Sequence, residues 1–73
     1  MAEIQVKSEL AGKVWKIETE IGQALAEEDQ ILILESMKME IPLLAPRAGV
    51  LSAILVKEGD AVAEGQPVAA ISV

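Results

Sequence analysis

Residues 11–36, "AGKVWKIETEIGQALAEEDQILILES", and residues 48–73, "AGVLSAILVKEGDAVAEGQPVAAISV", are two versions of one pattern. A shift of 37 positions aligns them without a gap, and 7 of the 26 pairs are identical: Ala11/Ala48, Gly12/Gly49, Ile17/Ile54, Gly22/Gly59, Ala24/Ala61, Ala26/Ala63 and Glu27/Glu64. Val14/Leu51, Leu25/Val62 and Leu34/Ile71 are similar. Glycines that recur at two separate places in each copy argue against a chance overlap of two amphipathic patterns. A repeat of this kind sets the architecture before any finer reading.

Each copy reads as β. A strand is expected over residues 13–19 and 50–56, followed by a turn at Gly22 or Gly59, where positive φ costs glycine least. A very short strand follows at 24–26 and 61–63. A second turn lies in "EEDQ" or "EGQP", and a last strand covers 31–35 and 68–73. The core positions Val14, Ile17, Thr19 and Leu51, Ile54, Val56 break strict alternation once, which predicts a β-bulge in each copy. "ETEIGQALAEED" (residues 18–29) comes nearest to a helix, but its central glycine and its β-like partner segment argue against one. The expected fold is all-β: a flattened barrel or sandwich of about eight short strands in two sheets, with an approximate two-fold axis relating the halves. Isolated hairpins are marginal in water, so the halves must pack on each other.

Length and composition bound the rest. The 73 residues make one domain, residues 1–73, which buries only about 60% of its unfolded surface. The chain has no cysteine and no histidine, so a disulfide staple and the usual structural zinc sites are excluded. Twelve acidic residues against six basic ones, a net charge of −6, disfavour nucleic acid and anionic membranes as partners. No apolar run approaches the ~20 residues that span a bilayer, and the start carries no secretory signal pattern, so a cytoplasmic location is expected. Ser8, Ser36, Ser52 and Ser72 lack a histidine base, which removes serine hydrolase chemistry; no residue is assigned a catalytic role. Trp15 reads as packing or a surface patch rather than chemistry.

The join between the copies carries the unusual residues. "LESMKMEIP" (residues 34–42) places Lys38 between Met37 and Met39, just past the first repeat. The pseudo-two-fold puts this join at one end of the molecule and the termini at the other. Lys38 is therefore expected on a hairpin tip, with 31–36 entering and 39–44 leaving. Turns ordinarily take Gly, Asn, Asp or Pro, and an exposed methionine invites oxidation. Two readings are open from the residues alone. The methionines cap the end of the core around a solvated lysine, or the tip is a recognition or modification point. Pro42 and Pro46 are expected to bend strands and limit edge pairing.

"ESMKMEIPLLAPRAGVL" closely resembles the attachment segment of biotinyl domains, the biotin carboxyl carrier modules of biotin-dependent carboxylases. "VKEGDAVAEGQPV" is similar to that family's later Gly-Asp and Gly-Gln turns, and the resemblance runs from about Val6 to Val73. It implies the small barrel-sandwich hybrid fold without a thumb loop, since the two halves align with no insertion. It implies covalent biotin on Lys38, attached by a biotin protein ligase. Loading by a biotin carboxylase and delivery by a carboxyltransferase, in an enzyme of acyl-CoA carboxylase type, follow from the same resemblance. In that family's terms Met37 and Met39 are expected to serve recognition, while for Glu35 and Glu40 two readings stay open, recognition or plain solvated charge. The resemblance implies that the chain itself is a carrier rather than an enzyme, and with no histidine in the chain to serve as a base the modification needs a partner enzyme. Three departures stand out. Ser36 occupies a position where many members carry Ala. Residues 1–5 show no counterpart of the Pro/Ala-rich linker found before many such domains, and a stand-alone carrier or a domain of a larger subunit is expected. Gln23 and Glu28 replace the aspartate and glycine of the second copy, so less regular turns are expected in the first half. A lipoyl domain is the alternative carrier, although its tip lysine commonly lies in Asp-Lys-Ala. An unmodified β-sandwich interaction module is the alternative outside the carriers.

Overall fold

The computed structural model describes residues 2–73. Its strands are β1 (Glu3–Lys7), β2 (Gly12–Ile17), β3 (Ala24–Leu25), β4 (Gln30–Ser36), β5 (Met39–Leu44), β6 (Gly49–Ile54), β7 (Ala61–Val62) and β8 (Pro67–Ser72). They form two four-stranded antiparallel sheets, ordered β1-β8-β6-β3 and β5-β4-β2-β7. Replacing each strand by the one four places along converts the first order into the second, which is the expected all-β, two-sheet arrangement with quasi-two-fold symmetry.

The 37-residue offset governs individual bonds. Gly22 N–H donates to the Leu51 carbonyl at 2.7 Å, and Gly59 N–H to that of Val14 at 2.8 Å. Glu18 N–H reaches the Ile31 carbonyl at 3.1 Å, and Leu55 N–H that of Val68 at 2.9 Å. The expected bulges are present, between Val14 and Lys16 against β4 and between Leu51 and Ala53 against β8. Trp15, the residue inside the first bulge, is half-exposed. Strands β2 and β6 stop two residues short of the expected limits. Thr19 still turns inward, where its hydroxyl donates to the Ile31 carbonyl at 2.9 Å. The core between the sheets is aliphatic, with Ile31, Leu32, Leu51, Val68 and Ile71 wholly buried. Leucine, isoleucine and valine suffice because the layer is thin.

The offset also extends upstream of the quoted repeat. Strand β1 corresponds to β5, and Glu3-Ile4 matches Glu40-Ile41 residue for residue. Both strands are sheet edges. Pro42 lies on the β5 edge, where a missing N–H costs no ladder bond inside the sheet.

Four β-turns close the loops in one way. In each, the fourth residue's N–H donates to the first residue's carbonyl: Gln23 to Glu20, Asp29 to Ala26, Asp60 to Lys57 and Gln66 to Ala63, at 3.0–3.1 Å. In each, the fourth side chain accepts the first residue's N–H, at 3.2, 2.9, 2.9 and 3.0 Å respectively. The third residue has positive φ: Gly22 (95°), Glu28 (72°), Gly59 (96°) and Gly65 (82°). The first-half turns are thus as regular as the second, contrary to the expectation from Gln23 and Glu28. A glutamine carboxamide accepts the same bond as the Asp60 carboxylate, and Glu28 adopts the left-handed conformation that Gly65 occupies in the other copy. That conformation strains a residue bearing Cβ. Glu28→Gly is therefore expected to stabilise the protein by about 0.5–1 kcal/mol, raising Tm by several degrees in a thermal melt. An unchanged or lower Tm would show that glycine's extra freedom in the unfolded chain cancels the relief.

Candidate functional site: the β4–β5 hairpin tip

The tip is built from the ladder below it. β4 lies inside its sheet between β5 and β2, and Leu34 anchors it in the core, paired with Ile41. One rung higher, Glu35 faces Glu40, and on its other side Lys13. Ser36 pairs with Met39 and closes the ladder, leaving Met37 and Lys38 as a two-residue loop. Ser36 Oγ donates to the Ala11 carbonyl at 3.0 Å, tying the hairpin base to the segment before β2. Here the serine that departs from the common alanine has a structural use. Gly12 stands in the same corner, where a Cβ would lie 2.8 Å from the Glu35 carbonyl oxygen.

Met37 and Lys38 both have positive φ, 51° and 64°. Two such residues in succession make a type I′ hairpin turn, whose twist matches the flanking strands and which ordinarily selects Asn-Gly. Met-Lys adopts it at a cost of order 1–2 kcal/mol per residue. The conformation is imposed by the six-pair β4–β5 register and the Ser36 tie, not by local preference. The side chains gain no burial in return. Lys38 is exposed, and Met37 and Met39 are 91% and 63% exposed. Capping of the core by the two methionines is thereby overturned: neither belongs to the core cluster nor packs against it.

Glu35 and Glu40 are exposed on one face, directly opposite each other. Like charges at this spacing repel, and Lys13 in the same row offsets part of that cost. Lys38, Met37, Met39, Glu35 and Glu40 thus lie together within two rungs of the tip. What this arrangement offers chemically is one accessible primary amine on a flexible stem. Covalent attachment asks no more of the carrier, so these residues fit a biotinyl group on Lys38. Among the described residues no cluster of three or more potential metal ligands occurs, and no helix is long and apolar enough to cross a membrane. A groove of about 270 Å³ lies between the free edges of β1 and β5, lined by Val6, Leu10, Leu34, Ile41 and Leu43 among others. None of residues 35–40 lines it.

Known proteins place this geometry. The family model described as "Biotin-requiring enzyme", for biotin and lipoyl attachment, matches residues 4–71. The chain is 43% identical over 60 residues to the biotin/lipoyl attachment protein of Bacillus subtilis, covering 82% of each chain. It is 40% identical over 72 residues to the biotinylated protein TB7.3 homolog of Mycobacterium leprae, covering 99% of this chain and 100% of that one. The crystal structure of Kluyveromyces lactis urea carboxylase contains the same fold, with a TM-score of 0.93 and 33% identity. The match there covers 99% of this chain and 6% of that much longer one. The chain belongs to the biotin/lipoyl attachment family of biotin-requiring enzymes.

Proposed function

We propose that Lys38 is the residue that a biotin protein ligase acylates, and that the protein then works as a biotin carboxyl carrier in the cytoplasm. Residues 1–73 act as one carrier unit, a protein substrate and cofactor holder rather than a catalyst. The observation that carries this reading is the placement of one exposed lysine on a two-residue tip, inside Met-Lys-Met, on a fold shared with a carboxylase. When bound, biotin supplies a ureido nitrogen that can hold an activated carboxyl group. The residues of this chain do the rest. The Ser36–Ala11 tie and the β4–β5 ladder hold the tip outward. The long lysine stem gives reach between a biotin carboxylase and a carboxyltransferase, at the high effective concentration a tether provides. Met37 and Met39 offer adaptable thioether contacts to several partners, and Glu35 and Glu40 offer charge. An enzyme of acyl-CoA carboxylase type is the acceptor system we favour.

The name of the Bacillus subtilis relative covers both cofactors, so lipoyl attachment is the reading to test against. The protein would be produced in cells supplied with biotin and lipoate, then analysed by peptide mass spectrometry. A biotinyl adduct on Lys38 is expected. A lipoyl adduct there, or biotin on another lysine, refutes the assignment. Absence of any adduct, with partner binding unchanged in Lys38→Ala, would favour the interaction module.

A further inference from the structure

We propose that Met37 and Met39 form a hydroperoxide-sensitive modification site that governs how partner enzymes accept the tip. The functional half of this inference rests on the reading of Lys38 as the acceptor. Its chemical half rests on exposure alone. Methionine is normally shielded in a core or an interface, and shielding limits its oxidation. Here Met37 is 91% exposed and Met39 is 63% exposed, on either side of Lys38. Positive φ at Met37 and Lys38 forms the two-residue loop beyond the last β4–β5 pair, Ser36 with Met39, so Met37 lies outside the paired ladder.

In the reaction, a sulfur lone pair attacks the outer oxygen of the hydroperoxide. The S–O bond forms, the O–O bond breaks, and water leaves, or an alcohol from an alkyl hydroperoxide. The sulfur loses two electrons and the peroxide gains them. A thiol-dependent sulfoxide reductase reverses the step, its thiols becoming a disulfide as water is released. The product carries a strong hydrogen-bond acceptor where an apolar thioether stood. The fold does not need the thioethers, because neither side chain enters the core. A partner surface that closes over the tip must instead strip water from the new oxygen, and an unpaired buried acceptor is costly.

The test uses the apo-protein, hydrogen peroxide as the oxidant and a bacterial biotin ligase. Trypsin cleavage after unmodified Lys38 separates Met37 from Met39, so peptide mass spectrometry reads each sulfoxide independently. Oxidation of both within about twofold of a free methionine amide is expected. The peroxide-treated protein, with peroxide removed, should show kcat/KM for biotinylation about fivefold or more lower, the effect of one buried unpaired acceptor, and an unchanged Tm. Sulfoxide reductase should restore the rate. The variant with Met37→Leu and Met39→Leu, which retains Met1, should be insensitive to peroxide. Oxidation more than about tenfold slower than the free amide overturns the modification site. Equal rates for oxidised and reduced protein overturn its functional half. Untreated protein that the ligase does not acylate refutes the reading of Lys38 instead and removes the functional half with it. The oxidation rates still decide the chemical half.

Discussion

Lys38→Leu is expected to abolish biotinylation completely while leaving stability within about 0.5 kcal/mol of the parent. The two halves of that result have separate causes. Loss of the adduct is chemical: leucine has no amine, and the lysines elsewhere, at positions 7, 13, 16 and 57, are not on a hairpin tip. Retention of the fold is structural: the Lys38 side chain is exposed, and the left-handed turn is imposed by the β4–β5 register. Leucine is not branched at Cβ, so it tolerates that conformation about as well as lysine does. Lys38→Arg separates charge from nucleophilicity, since it keeps a cation on a similar stem but offers no primary amine. Both variants should be silent in a streptavidin blot and should melt with the parent. Residual biotin on either variant would move the acceptor to another lysine. A melt lower by more than about 5 °C would make Lys38 a structural residue.

The tip was legible in the sequence because the repeat made it so. Once residues 11–36 and 48–73 are aligned, Met37 and Lys38 fall outside both copies, and a strand must turn back between Ser36 and Met39. No propensity rule gives that position, since methionine and lysine are poor type I′ residues. The same alignment located the bulges and the inward Thr19. Upstream of Ala11 the signal was present but short: the match of Glu3-Ile4 with Glu40-Ile41 spans two residues, and the unlike pairs Gln5/Pro42 and Lys7/Leu44 that follow in the same alignment conceal it. The conformation of Glu28 was hidden for a different reason. Positive φ at that position is fixed by the Ala26–Asp29 turn and by the Glu28 N–H bond to the Ala45 carbonyl at 2.8 Å, contacts that residue type does not announce. The Ser36 hydroxyl bond to Ala11 spans 25 residues and depends on Gly12 admitting the β4 backbone, which no local pattern encodes. The exposure of Met37 and Met39, decisive for the reading of the tip, likewise came only with the ladder in place.

Gly49→Ala is expected to destabilise the protein by about 3 kcal/mol, the upper range for overpacking a tight site, and to lower Tm on the order of 10–20 °C. In the sequence Gly49 stands out only as the repeat partner of Gly12. Its φ is not in the left-handed region, so glycine is required there for space rather than for conformation. A Cβ would overlap Ile71 Cγ2, stand 2.5 Å from the Ser72 carbonyl oxygen and 3.0 Å from Val73 Cγ1. None of these can withdraw cheaply. Ile71 is wholly buried, and β8 is held on both sides by β1 and β6. The Val73 amide is bonded to the Ala2 carbonyl at 2.8 Å, so displacing the end of β8 also loosens the paired termini. Gly12→Ala meets the Glu35 carbonyl at 2.8 Å, and its other neighbours, Leu10 Cδ1 and Ser36 Cβ, at 3.3 and 3.4 Å, so a smaller loss is expected. Gly22→Ala meets nothing within 4 Å and incurs only the strain of φ 95°, of order 1–2 kcal/mol. Thermal melts of the three variants should therefore rank Gly49→Ala lowest. A small domain holds only about 0.05–0.15 kcal/mol per residue of stability, so the Gly49 variant should approach the limit of folding at 37 °C. Equal melting temperatures for Gly49→Ala and Gly22→Ala would mean that β8 yields at this corner, and that close approach of neighbouring strands within each half is not what these paired glycines provide.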